Sequence, residues 1–236
     1  MSAFIAEFIG TMLLIILGNG VVANVLLNKT KGNNAGLISI TFGWGIAVFI
    51  GVYASTSLGG NGHINPAVSL AMAYLGKLDQ SLVDTYILAQ FAGAITGAVI
   101  VWLAYRQHFN ATEDGNTKLA VFCNSPAIPS VADNIITEIV GTFVLVLGGL
   151  LMSKSEVSLG TLDALPAGLL VLGIGLSLGG PTGYAINPAR DLGPRIVHFI
   201  LPIPRKRDSN WSYSWIPVVA PIVGALLAAI VFENIK

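Results

Sequence analysis

The tripeptide Asn-Pro-Ala occurs twice in this 236-residue chain, at Asn65-Pro66-Ala67 and, 122 positions later, at Asn187-Pro188-Ala189. One copy alone says little, because Asn is a favoured helix N-cap and Pro suits the first helical position, so the motif often only starts a helix. Here the surroundings repeat as well. Leu58-Gly59-Gly60-Asn61-Gly62-His63-Ile64 leads into the first copy, and Leu178-Gly179-Gly180-Pro181-Thr182-Gly183-Tyr184-Ala185-Ile186 leads into the second. Further upstream, Ala6-Glu7-Phe8-Ile9-Gly10-Thr11 matches Thr137-Glu138-Ile139-Val140-Gly141-Thr142. The chain is therefore a tandem duplication, with repeat one at about 1–118 and repeat two at about 119–236, in a single domain.

The medium for which it is built follows from its composition. Hydrophobic residues make up 54%, charged residues 10%, and mean hydropathy is +0.76; a soluble domain of this size carries more charge. The formal net charge of zero gives no electrostatic reason for a nucleic-acid partner. No Rossmann or Walker-type glycine pattern and no clustered metal-ligand set occurs, so neither cofactor nor metal is expected, and nothing suggests an enzyme. The lone cysteine, Cys123, cannot form an internal disulfide and reads as a small apolar loop residue.

Charge-poor stretches at 8–28, 36–58, 81–105, 131–153, 164–180 and 212–233 predict six membrane spans. The first has no basic n-region and is long enough to cross the hydrocarbon core, so it reads as a retained helix and not a cleaved signal. The interval 32–76 contains no Asp, Glu, Lys or Arg over 45 residues. That is too long for one helix and awkward for two with a solvated loop between them; one span plus a re-entrant half-helix beginning at Asn65 fits. The second copy repeats the break and begins its half-helix at Asn187. Irregular backbone at membrane depth is tolerated only where protein or a water-filled cavity surrounds it, so two matching breaks mark a pathway. Three spans per copy invert the second copy, and the half-helices meet N-terminus to N-terminus.

On these residues the chain resembles the aquaporin superfamily, the major intrinsic proteins. The likeness rests on His63-Ile64-Asn65-Pro66-Ala67-Val68, on Thr182 to Asp191 and on the paired Glu-x-x-Gly-Thr segments, and covers almost the whole chain. It implies an all-α membrane protein of six transmembrane helices plus two re-entrant half-helices, a homotetramer with one pore per subunit, and cytoplasmic N- and C-termini in the cell membrane. It also implies a selectivity constriction at Trp44, Gly175, Tyr184 and Arg190. Glycerol facilitators are similar, with Trp, Gly and Phe beside the Arg, whereas water-specific channels place His where Gly175 stands. Asp191 and Pro217-Val218 agree with the glycerol branch; Tyr184 departs from it, its hydroxyl narrowing the gap or adding a hydrogen bond. The expected activity is passive passage of glycerol, other small uncharged solutes and water, with ions and protons excluded. The alternatives are a channel selective for water, peroxide or small acids, and, from another class, a secondary transporter.

Solute hydroxyls are expected to donate to the carbonyls of Asn61, Gly62, His63, Gly183, Tyr184 and Ala185 and to accept from Asn65, Asn187 and Arg190. Glu7 and Glu138 lie inside spans, where an ionisable group is a functional candidate. Their symmetric placement favours carboxylates that accept from loop N–H groups over a proton relay. His63 is expected to offer its carbonyl with its ring packed beside the pore, in preference to acting as a pH gate. Gly10, Gly93, Gly97, Gly141 and Gly224 read as close helix-packing positions. Arg195 and Arg205-Lys206-Arg207 read as a solvated loop face. With a cytoplasmic N-terminus, Lys29, Lys31, Arg106, Lys118, Arg190, Arg195, Arg205, Lys206 and Arg207 fall outside or in the pore, against Lys77, Lys154 and Lys236 inside. This runs counter to the positive-inside rule.

Overall fold

The computed structural model describes residues 2–152 and 157–235. Among the described residues six helical segments are long and apolar enough to cross a bilayer: α1 (Ala3–Leu26), α2 (Gly36–Ser57), α4 (Val83–Ala111) together with the 3-10 turn Gln80–Leu82, α6 (Val131–Leu151), α7 (Leu165–Leu178) together with the 3-10 turn Gly160–Ala164, and α9 (Ile216–Ile235). Between them lie the short helices α3 (Pro66–Tyr74), α5 (Gly115–Phe122) and α8 (Pro188–Ile200). The described residues contain no β-strand. Ser153, at the expected end of the fourth span, and Lys154 and Lys236 of the charge count lie outside the described residues.

The two largest departures of helix boundaries from the hydropathy reading have the same reason, that charge marks a polar residue and not a helix end. α1 starts at Ala3 and takes in Glu7, whose side chain is buried. α4 runs on to Ala111 through Arg106 and His108, and its end is tied to the α1–α2 loop, where Asn28 N donates to Thr112 Oγ1 at 2.9 Å. α5 falls in a segment read as connection and crosses the repeat boundary at residues 118 and 119. Asp114 starts it, its carboxylate accepting from Thr117 N (2.8 Å) and Asn116 N (3.3 Å), and bonds to the Thr117 hydroxyl and amide hold that carboxyl below its ordinary range. Cys123, at the C-cap of α5, is buried.

The duplication is visible in the packing. α1 lies against α2 and α4, and α6 against α7 and α9, while each half-helix crosses to the other repeat, α3 onto α9 and α8 onto α4. Between apolar helices in an apolar solvent, close backbone approach is the main source of attraction. A Cβ on Gly93 would come within 2.4 Å of Phe8 O, one on Gly97 within 2.7 Å of Met12 O, and one on Gly224 within 2.4 Å of Ile139 O. Gly10 and Gly51 oppose each other across α1 and α2, where a Cβ on either would come within 2.7–2.8 Å of the other's carbonyl oxygen. Gly141 differs: a Cβ there would meet the Ile186 side chain at 3.0 Å, so the glycine makes room for the second re-entrant loop.

These contacts leave no space for a side chain at the α1–α4 seam. Gly93→Leu therefore prevents the seam from closing, and the yield of folded protein after detergent extraction, read by size-exclusion chromatography, falls to a small fraction of wild type. Leu88→Ala, on the exposed face of the same helix, leaves that yield unchanged and serves as the control.

Candidate site where the two half-helices meet

Both half-helices start from an Asn that performs two tasks. Asn65 Oδ1 accepts from Ala67 N at 2.9 Å, and Asn187 Oδ1 accepts from Ala189 N at 3.0 Å and Arg190 N at 3.2 Å, so each caps its own helix. Their amide groups reach across the repeat boundary: Asn65 Nδ2 donates to Ile186 O at 2.8 Å and Asn187 Nδ2 to Ile64 O at 2.9 Å. The reciprocal pair joins the two N-termini. Pro66 and Pro188 follow at the first helical positions, where a missing N–H costs nothing, and Ala67 and Ala189 are fully buried.

The residues preceding each Asn are held in unusual backbone. Ile64 has φ 43° and Ile186 φ 46°, left-handed values that β-branched residues rarely adopt and that cost about 1–3 kcal/mol each. What holds them there is a buried carboxylate in each repeat. Glu7 Oε1 accepts from His63 N (3.0 Å) and Ser55 Oγ (2.9 Å), and Oε2 from Ile64 N (2.7 Å) and Gln90 Nε2 (2.8 Å). Glu138 Oε1 accepts from Ala185 N (2.9 Å) and Thr182 Oγ1 (2.7 Å), and Oε2 from Ile186 N (2.9 Å). Among the described residues, no protein donor reaches the carbonyls of Asn61, Gly62, His63, Gly183, Tyr184 or Ala185. The His63 ring packs on Tyr86 at 5.1 Å between centroids, with Nδ1 3.1 Å from Ser69 Oγ.

Next to this junction Arg190 stacks on Trp44, and Tyr184 packs against Gly175. Arg190 lies in the first turn of α8, where the helix dipole disfavours a cation. Two features offset this: its guanidinium carbon stands 4.2 Å over the Trp44 ring, and Asp191 follows it. Tyr184 lies flat on the glycine face of α7, where a Cβ on Gly175 would meet its Cζ at 2.9 Å and one on Gly179 its Cδ1 at 2.6 Å. Gly175 therefore gives its space to the Tyr184 ring.

The reading of Arg195 as part of a solvated face is wrong. Arg195 is fully buried; its Nη2 lies 2.8 Å and its Nε 2.9 Å from Asp191 Oδ1, Nη1 donates to Ser209 O (2.7 Å) and Asn210 O (3.1 Å), and Nη2 also donates to Asn124 O (2.8 Å). Asn124 N in turn donates to Asp191 Oδ2 (2.7 Å) and its Nδ2 to Thr182 O (2.9 Å), while Ala127 N donates to Pro181 O (2.8 Å). The post-α5 loop, the re-entrant loop and the post-α8 loop are thus tied behind Arg190. Lys206 also belongs to this closure, its Nζ capping the end of α8 through the carbonyls of His198, Phe199 and Leu201 at 2.6–2.7 Å. Only Arg205 and Arg207 of the basic run fit the solvated reading, each with an exposed ion pair. A signal for the missed residue was present in the i,i+4 spacing of Asp191 and Arg195 on one short helix.

Removing one member of a buried pair leaves the other charge unpaired, at about 3–5 kcal/mol. Arg195→Ala accordingly lowers the thermal unfolding midpoint steeply and abolishes solute flux in proteoliposomes, whereas Arg207→Ala changes neither.

The sequence matches the family described as Major intrinsic protein over residues 1–232. It is 54% identical over 233 residues to the probable glycerol uptake facilitator protein of Thermotoga maritima, and 53% identical over 233 residues to the glycerol uptake facilitator protein of Streptococcus pneumoniae strain R6, each covering 99% of both chains. The X-ray structure of the aquaglyceroporin from Plasmodium falciparum superposes with a TM-score of 0.84 at 30% identity, covering 98% of this chain and 95% of that one. With six apolar spans, two inverted half-helices and paired Asn-Pro-Ala caps, the chain belongs to the major intrinsic protein family.

Proposed function

We propose that this protein is a passive channel for glycerol and other small uncharged solutes, with water, that excludes ions and protons. The observation that carries the reading is the corner formed by Trp44, Tyr184 and Arg190, with Gly175 in place of a side chain. An aromatic wall that takes a carbon backbone, facing a guanidinium that donates to hydroxyls, suits a polyol better than an ion. The names of the two facilitator relatives point the same way.

In this reading the file of free carbonyls from Asn61 to His63 and from Gly183 to Ala185 accepts from solute hydroxyls. Arg190 and the second amide hydrogens of Asn65 and Asn187 donate to them. Each half-helix brings about +0.5 of a charge to the junction, so a cation or a proton is repelled there. Glu7 and Glu138 act as scaffold and not as a relay, their lone pairs being occupied by the loop N–H and side-chain donors that face them. Passage is downhill.

The chain is read as a multi-pass protein of the cell membrane, a homotetramer in the lipid bilayer with one pore per subunit, and with cytoplasmic termini. The charge count against that orientation weakens once burial is considered. Arg195 is neutralised by Asp191 inside the protein, Arg190 stands at the half-helix and Lys118 is fully buried, so none of the three is a free loop cation.

Stopped-flow light scattering on proteoliposomes tests the function. The expected result is osmotic water shrinkage followed by glycerol re-swelling that is linear in the gradient and independent of any ion gradient; saturable, ion-dependent uptake would mean a transporter. Gly175→His places a ring where the Tyr184 aromatic lies and reduces glycerol flux at least tenfold while water flux persists.

A further inference from the structure

The first repeat holds its buried carboxylate with a donor that the second repeat does not possess. Glu7 and Glu138 are 131 positions apart, and so are Gly93 and Gly224. A Cβ on either glycine would come within 2.4 Å of the carbonyl oxygen that follows the carboxylate, Phe8 O in one repeat and Ile139 O in the other, so the same spacing maps α4 onto α9. Three of the four bonds to Glu7 have a counterpart at Glu138. Oε1 accepts from the Ser55 or Thr182 hydroxyl and from the His63 or Ala185 amide, and Oε2 accepts from the Ile64 or Ile186 amide. The fourth has none: Gln90 Nε2 donates to Glu7 Oε2 at 2.8 Å, and the position that matches Gln90 is Pro221.

Pro221 changes the hydrogen bonding twice. It offers no side-chain donor to Glu138 Oε2, and, lying inside α9, it has no N–H for the carbonyl of Pro217 one turn earlier. A buried donor without a partner stands beside these two acceptors. Tyr213 packs with Ile216 and Ala220 of α9 and against Ile135 and Ile139, which flank Glu138 on its face of α6. The residue is 7% exposed, and its Oη is buried with no hydrogen-bond partner. Burial first, and then the Glu138 carboxylate, raise the phenol above its ordinary range, so at neutral pH it carries its proton. Left unpaired, such a hydroxyl costs its full desolvation penalty.

We propose that a single water molecule is bound between α6, α9 and the post-α8 loop, at the level the Gln90 amide takes in the first repeat, accepting from Tyr213 Oη and donating to Glu138 Oε2 and Pro217 O. The ligand here has to accept once and donate twice. Water does both, and three bonds to buried polar groups is the usual number for an internal water. A metal or ammonium cation has no lone pair with which to accept the phenol proton. The first pore loop is thus anchored to its neighbouring helix by a fixed side chain, and the second is anchored to α9 and the post-α8 loop by an exchangeable link.

The test is a double-mutant cycle read by the thermal unfolding midpoint of the purified protein. Pro221→Gln restores the arrangement of the first repeat and displaces the water. Tyr213→Phe therefore lowers the midpoint by about 2–4 °C in the wild-type background and leaves it unchanged in the Pro221→Gln background. A midpoint that rises in Tyr213→Phe means that the hydroxyl has no partner, and an equal loss in both backgrounds means that its partner lies elsewhere; either result overturns the proposal. A high-resolution crystal structure of the wild-type protein decides the matter whether or not the Pro221 variant folds. A water within hydrogen-bond distance of Tyr213 Oη and Glu138 Oε2 is expected there, and a direct bond from Tyr213 to a protein group, or no water between the two, contradicts it.

Discussion

A peptide N–H or C=O at membrane depth has no water to bond, and one left unpaired costs several kcal/mol. This chain brings two irregular loops, 58–64 and 179–186, to that depth, and the rest of the architecture answers the problem they pose. Glu7 and Glu138 take up the N–H groups on one side of each loop. Burying the two carboxylates is itself costly, and the cost is offset because each receives at least three donors, the condition under which a buried charge is tolerated. The carbonyls of Asn61 to His63 and of Gly183 to Ala185 meet no protein donor among the described residues.

The same constraint explains why the repeats interlock instead of lying side by side. A half-helix ends inside the protein with its first N–H groups unpaired, and Asn65 and Asn187 cap them while reaching over to Ile186 O and Ile64 O. Those two carbonyls belong to strained residues, so strain, cap and cross-repeat bond form one unit. Because α8 is fixed at its start by Asn187 and along its length by the Asp191–Arg195 tie, Arg190 between them has little freedom. A donor held in this way presents a fixed hydrogen-bonding direction, and the bonds that hold it are the ones just named.

Much of this was legible in the sequence, and the parts that were not have physical causes. The paired Asn-Pro-Ala segments and the uncharged interval 32–76 pointed to the half-helices, since one span plus a re-entrant half-helix houses so long an apolar stretch with a glycine-rich break better than two spans joined by a solvated loop. Helix ends were read short at Glu7 and at Arg106, because hydropathy reports which residues face lipid and not where the backbone stops being helical. Arg195 was misplaced for a related reason. Charge in a segment next to a loop ordinarily means solvent, and only the three-dimensional closure of the Asn124 and Ser209 carbonyls around the guanidinium shows otherwise.

The central claim is that the two buried carboxylates hold the pore loops by accepting from their backbone. The most direct measurement replaces each in turn with the isosteric amide, Glu7→Gln and Glu138→Gln, and follows folded yield, glycerol flux and proton leak in the same proteoliposome preparations. An amide sets one N–H against a loop N–H, so the account predicts a sharp loss of folded protein and of glycerol flux in both variants, with no rise in proton leak. Variants that fold normally and conduct glycerol at the wild-type rate, or that fold and leak protons, would contradict it.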